Sequence, residues 1–200
     1  MANYKKQDHW QLKARSEGYP ARSVYKLKEM DEKFGLMKPR FKILDLGAAP
    51  GSWSLYILRK APGVSLVSAD LSPLSREFDK GLFNGENFSF FQGDFTDPVI
   101  RDAIVSKGPY SLIVSDAAPA TTGNRVVDTS RSLELAEAAA FYAETALAAG
   151  GNLVIKVFQG SDTQELLKRL GCLFKTAKSY KPQACRSDSF ETYYLGLAKN

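Results

Sequence analysis

Short apolar segments alternate with segments of helical periodicity through most of the chain. Apolar runs of five to seven residues predict strands at residues 42–46, 64–69, 88–92, 111–115 and 152–158. Helical spacing of the apolar positions predicts helices at residues 52–60, 98–107 and 131–149, the last ended by two glycines. A strand–helix series of this kind predicts an α/β fold, with a mostly parallel sheet and helices on both faces.

The C-terminal part continues the pattern with a helix near residues 162–170 and strands near residues 174–179 and 192–197. A polar loop joins these two strands, so we expect them to extend the parallel core as an antiparallel addition. The predicted sheet then has seven strands and an antiparallel C-terminal strand. No internal repeat or low-complexity linker interrupts the pattern, so we expect a single domain over residues 1–200.

Composition narrows the class of protein. The chain has 200 residues, 44% of them hydrophobic, which is enough for one core. No apolar run approaches the ~20 residues that span a bilayer, and the first residues lack the apolar centre of a signal peptide, so we expect a cytoplasmic protein. Two cysteines, Cys172 and Cys185, and one histidine, His9, cannot supply a four-ligand zinc site, so no metal is expected.

The charge is concentrated at the N-terminus. Residues 1–42 hold eleven Lys and Arg against five acids, a net +6, while the other 158 residues hold sixteen against seventeen, a net −1. Aromatic residues are interleaved with these cations, which is typical of a segment that neutralises phosphates and stacks on bases. The alternative is a solvated amphipathic helix, because Val24, Leu27 and Met30 fall on one helical face. The two interpretations are compatible, because the apolar face of such a helix can dock while its basic face points outward. We expect this segment to be an RNA-binding extension.

The segment ILDLGAAPGSW, residues 43–53, has the form of a strand that ends in a glycine-rich turn before a helix. Gly47 and Gly51 permit a sharp turn and a close approach of the backbone to a ligand. Ala49 and Ser52 stand where the dinucleotide fingerprint has its second and third glycines, which disfavours a pyrophosphate. Pro50 removes a backbone donor, which suits a less anionic ligand such as S-adenosylmethionine. An ordinary strand-to-helix turn is the alternative.

Charged residues stand at the predicted carboxyl ends of five strands, which meet at one edge of a parallel sheet. They are Asp45, Asp70, Asp94, Asp116 and Lys156. The aspartates could instead be helix caps or turn formers. Lys156 lies in the apolar run NLVIKVF and needs a partner or a chemical role. A buried lysine loses part of its preference for the charged form, as a general base requires, but a salt bridge to Asp116 would explain the residue equally well.

Several motifs, taken together, resemble one family. The stretches ILDLGAAPGSWS, LVSADLSP, FFQGDF, VSDAAP, NLVIKVFQG and ETYYL follow one another in the order found in the FtsJ/RrmJ-type ribose 2′-O-methyltransferases, and DHWQLKARSEGYPARSVYKLKEM resembles the entry segment of that family. The resemblance covers nearly the whole chain. It implies a Rossmann-like S-adenosylmethionine-dependent methyltransferase fold and S-adenosylmethionine as the methyl donor. The last loop departs from the family because it is poorer in arginine, so RNA contacts near Glu191 are expected to differ.

The resemblance also implies the site residues. The catalytic tetrad falls on Lys26, Asp116, Lys156 and Glu191, with Lys156 as the proton acceptor. The cofactor-binding set is Asp45, Gly47, Pro50, Gly51, Ser52, Trp53, Asp70, Asp94 and Asp116, in which Gly51 and Trp53 meet the methionine end, Asp70 the ribose, Asp94 the adenine and Asp116 the sulfonium. The basic residues expected to bind RNA are Lys5, Lys6, Lys13, Arg15, Arg22 and Arg186.

The implied substrate is a uridine of large-subunit ribosomal RNA, methylated by a monomeric enzyme. A tRNA anticodon loop or an mRNA cap remains an alternative, since relatives act on these with the same tetrad. A protein that kept the fold and binds RNA during ribosome assembly without catalysis is a further alternative, which the presence of all four tetrad residues disfavours.

Overall fold

The computed structural model describes residues 9–160, 163–186 and 189–200, which form one seven-stranded sheet between two layers of helices. The strands are β1 Lys42–Leu46, β2 Ser65–Asp70, β3 Phe88–Gln92, β4 Tyr110–Ser115, β5 Leu147–Phe158, β6 Phe174–Tyr180 and β7 Glu191–Lys199. The helices are α1 His9–Ser16, α2 Val24–Phe34, α3 Ser52–Lys60, α4 Pro98–Ser106, α5 Arg125–Ala146 and α6 Thr163–Leu173. A short 3₁₀ turn at Leu82–Asn84 precedes β3.

The strand order is β3-β2-β1-β4-β5-β7-β6. Strands β1 to β5 pair in parallel, and β7 pairs antiparallel with both β5 and β6, so β6 runs in the same direction as β5. The predicted seven-stranded, mostly parallel sheet is confirmed, and its antiparallel C-terminal strand is β7. The order reverses between β1 and β4, and ligands of such sheets bind at the carboxyl ends beside this reversal.

Alternation along the strands produces a core on each face of the sheet. In β1, Leu44 and Leu46 pack toward α4, α5 and α6, while Ile43 packs toward α2 and α3. Burial of both faces explains why the parallel strands read as nearly continuous apolar runs.

The predicted amphipathic helix of the basic segment is α2. Val24, Leu27 and Met30 are fully buried in the core beside α3. Gly35 ends the helix in the left-handed region, with φ of 61°, where a residue without Cβ is favoured. The apolar face of this segment therefore docks on the sheet, as the pattern predicts.

Two helices differ from the sequence prediction. Helix α5 begins at Arg125 rather than at residue 131, because the Asn124 side chain accepts hydrogen bonds from the backbone N–H groups of Val126 and Val127. Its first turns are mostly exposed and so carry no apolar periodicity. Helix α1 was not predicted, since Ala14 is its one fully buried residue. Within the described ranges, no helix has the length and hydropathy to cross a bilayer.

Candidate active site

A cavity of about 420 Å3 opens at the carboxyl ends of the parallel strands, beside the reversal of strand order. Three carboxylates and one ammonium group line it, from Asp70, Asp94, Asp116 and Lys156. We call this cavity the acidic pocket. Its remaining lining residues are Ser23, Gly47, Ala49, Pro50, Leu71, Phe95, Ala117, Ala118 and Leu135. Six predicted site residues, including Gly47 and Pro50, thus come together here.

The glycine-rich loop forms the floor of the acidic pocket and is fixed by its neighbours. Gly47 has φ of 72°, and a Cβ at this position would lie 2.5 Å from the Ala117 Cα, so the loop that follows β4 can approach only a glycine. Asp70 joins two loops, because its carboxylate accepts the backbone N–H of Ala49 at 2.9 Å and that of Ser72 at 2.8 Å. The Asp70 carboxylate therefore holds the two loops together through hydrogen bonds from their backbone N–H groups.

Four residues predicted to bind cofactor lie behind the wall of the acidic pocket and not on its surface. Trp53 donates its indole N–H to the carbonyl of Ser23, and the Ser52 hydroxyl accepts the backbone N–H of Ala21, each at 2.8 Å. Gly51 packs against Phe83. Gly51, Ser52 and Trp53 are not among the lining residues, and their direct contact with cofactor stays a prediction. The hydrogen bonds of Ser52 and Trp53 hold the segment before α2 in place.

The fourth of these residues, Asp45, is completely buried on β1. Its Oδ2 accepts the hydroxyl of Ser54 at 2.7 Å, and its Oδ1 has no hydrogen-bond partner among the described residues. Burial raises the pKa of Asp45 to about 7, opposed by the Ser54 hydrogen bond and reinforced by the charges of Asp116 and Asp70. Asp45 thus lies beneath the glycine-rich loop as a buried supporting group, and its direct contact with cofactor stays a prediction.

Lys156 and Asp116 form a buried ion pair on the wall of the acidic pocket. The Lys156 Nζ lies 3.0 Å from Asp116 Oδ1 and donates to the Asp116 backbone carbonyl at 2.5 Å. Tyr193 donates its hydroxyl to the same Oδ1 at 2.6 Å, because Tyr193 of β7 is the cross-strand partner of Lys156. Burial would raise the pKa of Asp116, but the cations Lys156 and Lys26 and the Tyr193 hydrogen bond hold it below its usual value.

Lys26 and Glu191 form a second buried ion pair at 2.5 Å, between α2 and the start of β7. Burial would lower the pKa of Lys26, but the charges of Asp116 and Glu191 outweigh it and raise that pKa. The Lys26 Nζ is 6.0 Å from the centroid of the Tyr193 ring, so Tyr193 lies between the two ion pairs. The four predicted tetrad residues are therefore brought together, as two pairs joined by this tyrosine.

A second cavity, of about 320 Å3, contains the Lys26–Glu191 pair. We call it the basic pocket. It is lined by Arg22, Lys26, Arg186, Ser189, Phe190 and Glu191. Sequence reasoning named Arg22 and Arg186 as RNA-binding residues but missed Tyr193, Ser189 and Phe190. The alternation of β7 could have indicated Tyr193, which stands two residues after Glu191 on the same side of the strand.

Two other predicted RNA-binding residues, Lys13 and Arg15, are not among the residues that line either pocket. Lys13 lies over the rings of Trp10 and Tyr25, at 5.5 and 5.2 Å from their centroids. Arg15 pairs with Glu77 at 2.6 Å. Lys5 and Lys6 fall outside the described residues. In the part of the chain that the structure describes, no group of three or more His, Cys, Asp and Glu side chains is arranged to hold a metal ion.

Comparison with known proteins identifies the family to which the chain belongs. A model of the FtsJ-like methyltransferases matches residues 19–199. The ribosomal RNA large subunit methyltransferase E of Treponema denticola is 52% identical over 195 residues, covering 97% of this chain and 96% of that protein. The protein of the same name from Borreliella afzelii is 45% identical over 190 residues, covering 94% and 96%. A Plasmodium falciparum structure, described as a ribosomal RNA methyltransferase, superposes with a TM-score of 0.74 at 26% identity, covering 90% of this chain and 98% of that one.

The family, the Rossmann-like methyltransferase fold and S-adenosylmethionine as the methyl donor are thereby confirmed. The geometry agrees with them, since a pocket lined by three carboxylates adjoins a buried lysine at the switch point of the sheet. The chain belongs to the FtsJ-like methyltransferase family.

Proposed function

We propose that this enzyme transfers the methyl group of S-adenosylmethionine to the ribose 2′-hydroxyl of a uridine in large-subunit ribosomal RNA. The observation that carries the proposal is the placement of the tetrad between two pockets of opposite charge. Lys156 and Asp116 line the acidic pocket, while Lys26 and Glu191 line the basic pocket. The names of the relatives from Treponema denticola and Borreliella afzelii support the large-subunit RNA as substrate.

The acidic pocket suits the methyl donor. S-adenosylmethionine carries a positively charged sulfonium, and a buried carboxylate close to it stabilises that charge. We assign Asp116 to the sulfonium, Asp70 to the cofactor ribose and Asp94 to the adenine. A cavity of about 420 Å3 lies within the usual range for a ligand of this size.

The basic pocket suits the acceptor. Arg22, Lys26 and Arg186 can neutralise phosphates, and the Lys26–Glu191 pair can hold the ribose beside Lys156. The 2′-oxygen attacks the methyl carbon in line, the carbon–sulfur bond breaks, and its electron pair returns to sulfur to leave neutral S-adenosylhomocysteine. The Nζ of Lys156 first gives its own proton to solvent and then accepts the hydroxyl proton, while the Asp116 carbonyl and carboxylate hold this nitrogen in position.

The N-terminal basic segment extends the RNA contact. We propose that residues 1–42 serve a single methyltransferase domain as its RNA-binding extension, with Lys5, Lys6, Lys13 and Arg15 on the RNA backbone. Lys13 and Arg15 are about half exposed, so phosphates can reach them. An enzyme with this substrate would act in the cytoplasm, and we expect it to act as a monomer.

Incubation of the protein with methyl-labelled S-adenosylmethionine, and with either large ribosomal subunits or tRNA, tests the proposal. We expect label on the large-subunit RNA, and mapping should place it on the 2′-oxygen of one uridine. Label on tRNA alone would give the enzyme a different substrate. RNA binding without transfer to any RNA would favour the non-catalytic assembly factor.

A further inference from the structure

A third cavity, of about 320 Å3, lies beside the basic pocket. The first turns of α5 and the residues that follow β5 form it, with Arg125, Val126, Thr129, Leu133 and Gln159 on its walls. We call it the side pocket. Among the residues that the structure describes, none of the tetrad and none of those predicted to bind RNA lines it.

Phe190 connects the two pockets, because it lines the basic pocket and contacts two lining residues of the side pocket, Arg125 and Gln159. Its ring lines the basic pocket and has the Arg125 guanidinium carbon 5.5 Å from its centroid. The backbone N–H of Gln159 donates to the Phe190 carbonyl at 2.9 Å, and the Phe158 ring packs edge-on against the Phe190 ring at 4.8 Å. Gln159 follows Lys156 by three residues, which is roughly 10 Å of extended chain. The side pocket is therefore one aromatic side chain away from the acceptor site.

The walls of the side pocket suit a nucleobase better than a phosphate. The basic pocket has three cationic side chains among six lining residues, whereas the side pocket combines one guanidinium with aliphatic, hydroxyl and amide groups. Bases splayed out of a single strand stack on Arg guanidinium planes and form hydrogen bonds along their edges. Gln159 can both donate and accept such bonds, and Val126 and Leu133 offer apolar contact.

We propose that the side pocket receives the base of a nucleotide adjacent to the methylated one, with Phe190 inserted between the two nucleotides. This inference rests on the proposed function, because it requires RNA in the basic pocket. The pocket would supply a preference for the sequence around the target that the cationic basic pocket cannot supply, since phosphate contacts carry no sequence information directly.

A photoreactive benzoylphenylalanine at position 126 tests the placement, because Val126 stands at the mouth of the pocket with 78% of its surface exposed. The full-length protein is bound to large ribosomal subunits and irradiated, and the cross-linked nucleotide is mapped. We expect a cross-link within two nucleotides of the methylated position. The matched control carries the same group at Phe141, an exposed position some 22 Å further along α5. A cross-link from position 126 to a ribosomal protein or to distant RNA, or none, would overturn the proposal.

The exchange Gln159→Ala gives a second readout. We expect kcat/KM for large subunits to fall about tenfold through KM, with the Kd for S-adenosylmethionine unchanged. The control is Gln164→Ala, an exposed glutamine on α6 outside the pocket, which should match the unmodified enzyme. Equal kinetics for the two variants would contradict a role for the side pocket. Methylation of the same subunits by the unmodified enzyme keeps this outcome separate from a failure of the proposed function.

Discussion

The acidic pocket and the basic pocket are lined by charges of opposite sign, yet each contains one residue of the minority sign. Lys156 stands among the carboxylates of the acidic pocket, and Glu191 stands among the cations of the basic pocket. Both belong to the tetrad, and each is paired with a majority residue. Under the proposed function, binding and chemistry are separable. The majority charges select the cationic donor and the anionic acceptor, while the two ion pairs hold the reacting groups between the pockets.

The two pockets also differ in how the chain builds them. The floor of the acidic pocket is a motif around Gly47 that is continuous in sequence. Hydrogen bonds to Asp70 and to the carbonyl of its neighbour Ala69 connect this motif to β2. The basic pocket joins α2 to the loop before β7, so that Lys26 meets Glu191 across most of the chain. A donor site of the first kind can be found by a local motif, whereas the acceptor site exists only after the sheet has formed.

The largest loss of activity among variants that separate the pockets is expected for Asp116→Asn. The Asp116 carboxylate pairs with Lys156 and accepts a hydrogen bond from the Tyr193 hydroxyl. Its neutralisation should therefore lower kcat for methyl transfer on the order of 1000-fold, and it should weaken cofactor binding as well. Asp94→Asn, a carboxylate of the same pocket outside the tetrad, serves as the control. It should weaken cofactor binding and change kcat less than tenfold. Equal losses of kcat in Asp116→Asn and Asp94→Asn would contradict the assignment of Asp116 to chemistry and of Asp94 to binding alone.

A smaller loss is expected for Glu191→Gln, which leaves the Lys26 ammonium buried without its charge partner. We expect transfer to fall about 100-fold and the free energy of unfolding in urea to fall by about 3 kcal/mol. The double exchange Lys26→Met with Glu191→Gln should recover part of the stability but none of the activity. If the double variant is no more stable than Glu191→Gln alone, the unpaired charge of Lys26 is not the cause of the lost stability.

Arg186→Ala tests whether the basic pocket binds RNA independently of the acidic pocket. We expect the Kd for RNA to rise about tenfold, and the slope of log K against log salt to decrease by about 1, because one phosphate contact is lost. The Kd for S-adenosylmethionine should not change. Asp70→Asn is the converse control: it should raise the Kd for S-adenosylmethionine and leave the Kd for RNA unchanged. Parallel changes in both affinities would show that the pockets are not independent.

The smallest effect on transfer is expected for Asp45→Asn, which concerns the support beneath the acidic pocket. Burial raises the pKa of this carboxyl from 3.8 to about 7, so the folded protein retains a proton that the unfolded chain releases. Asp45 therefore makes stability fall as pH rises from about 4 to about 7. Urea unfolding at pH 5 and at pH 8 should show a smaller decrease for the variant than for the unmodified protein. Equal decreases would contradict the raised pKa.

Residues whose role follows from local pattern were predictable, and those whose role depends on packing were not. The glycine-rich turn and the carboxylates at strand ends follow from strand periodicity, so Gly47, Asp70 and Asp116 were found. Asp45 shares that pattern but faces the core beneath α3, which no spacing distinguishes from a pocket residue. The link from Tyr193 to Asp116 required the register of β5 with β7, which sequence periodicity leaves open.

Single-turnover methyl transfer by Lys156→Ala, with S-adenosylmethionine and large ribosomal subunits both saturating, tests whether Lys156 accepts the 2′-hydroxyl proton. We expect the rate to fall by at least about 100-fold, because the acceptor of the 2′-hydroxyl proton is lost, while the Kd for cofactor and for RNA stays close to that of the unmodified enzyme. A rate within a few-fold of the unmodified enzyme would contradict the claim that the lysine held between the two pockets takes the proton.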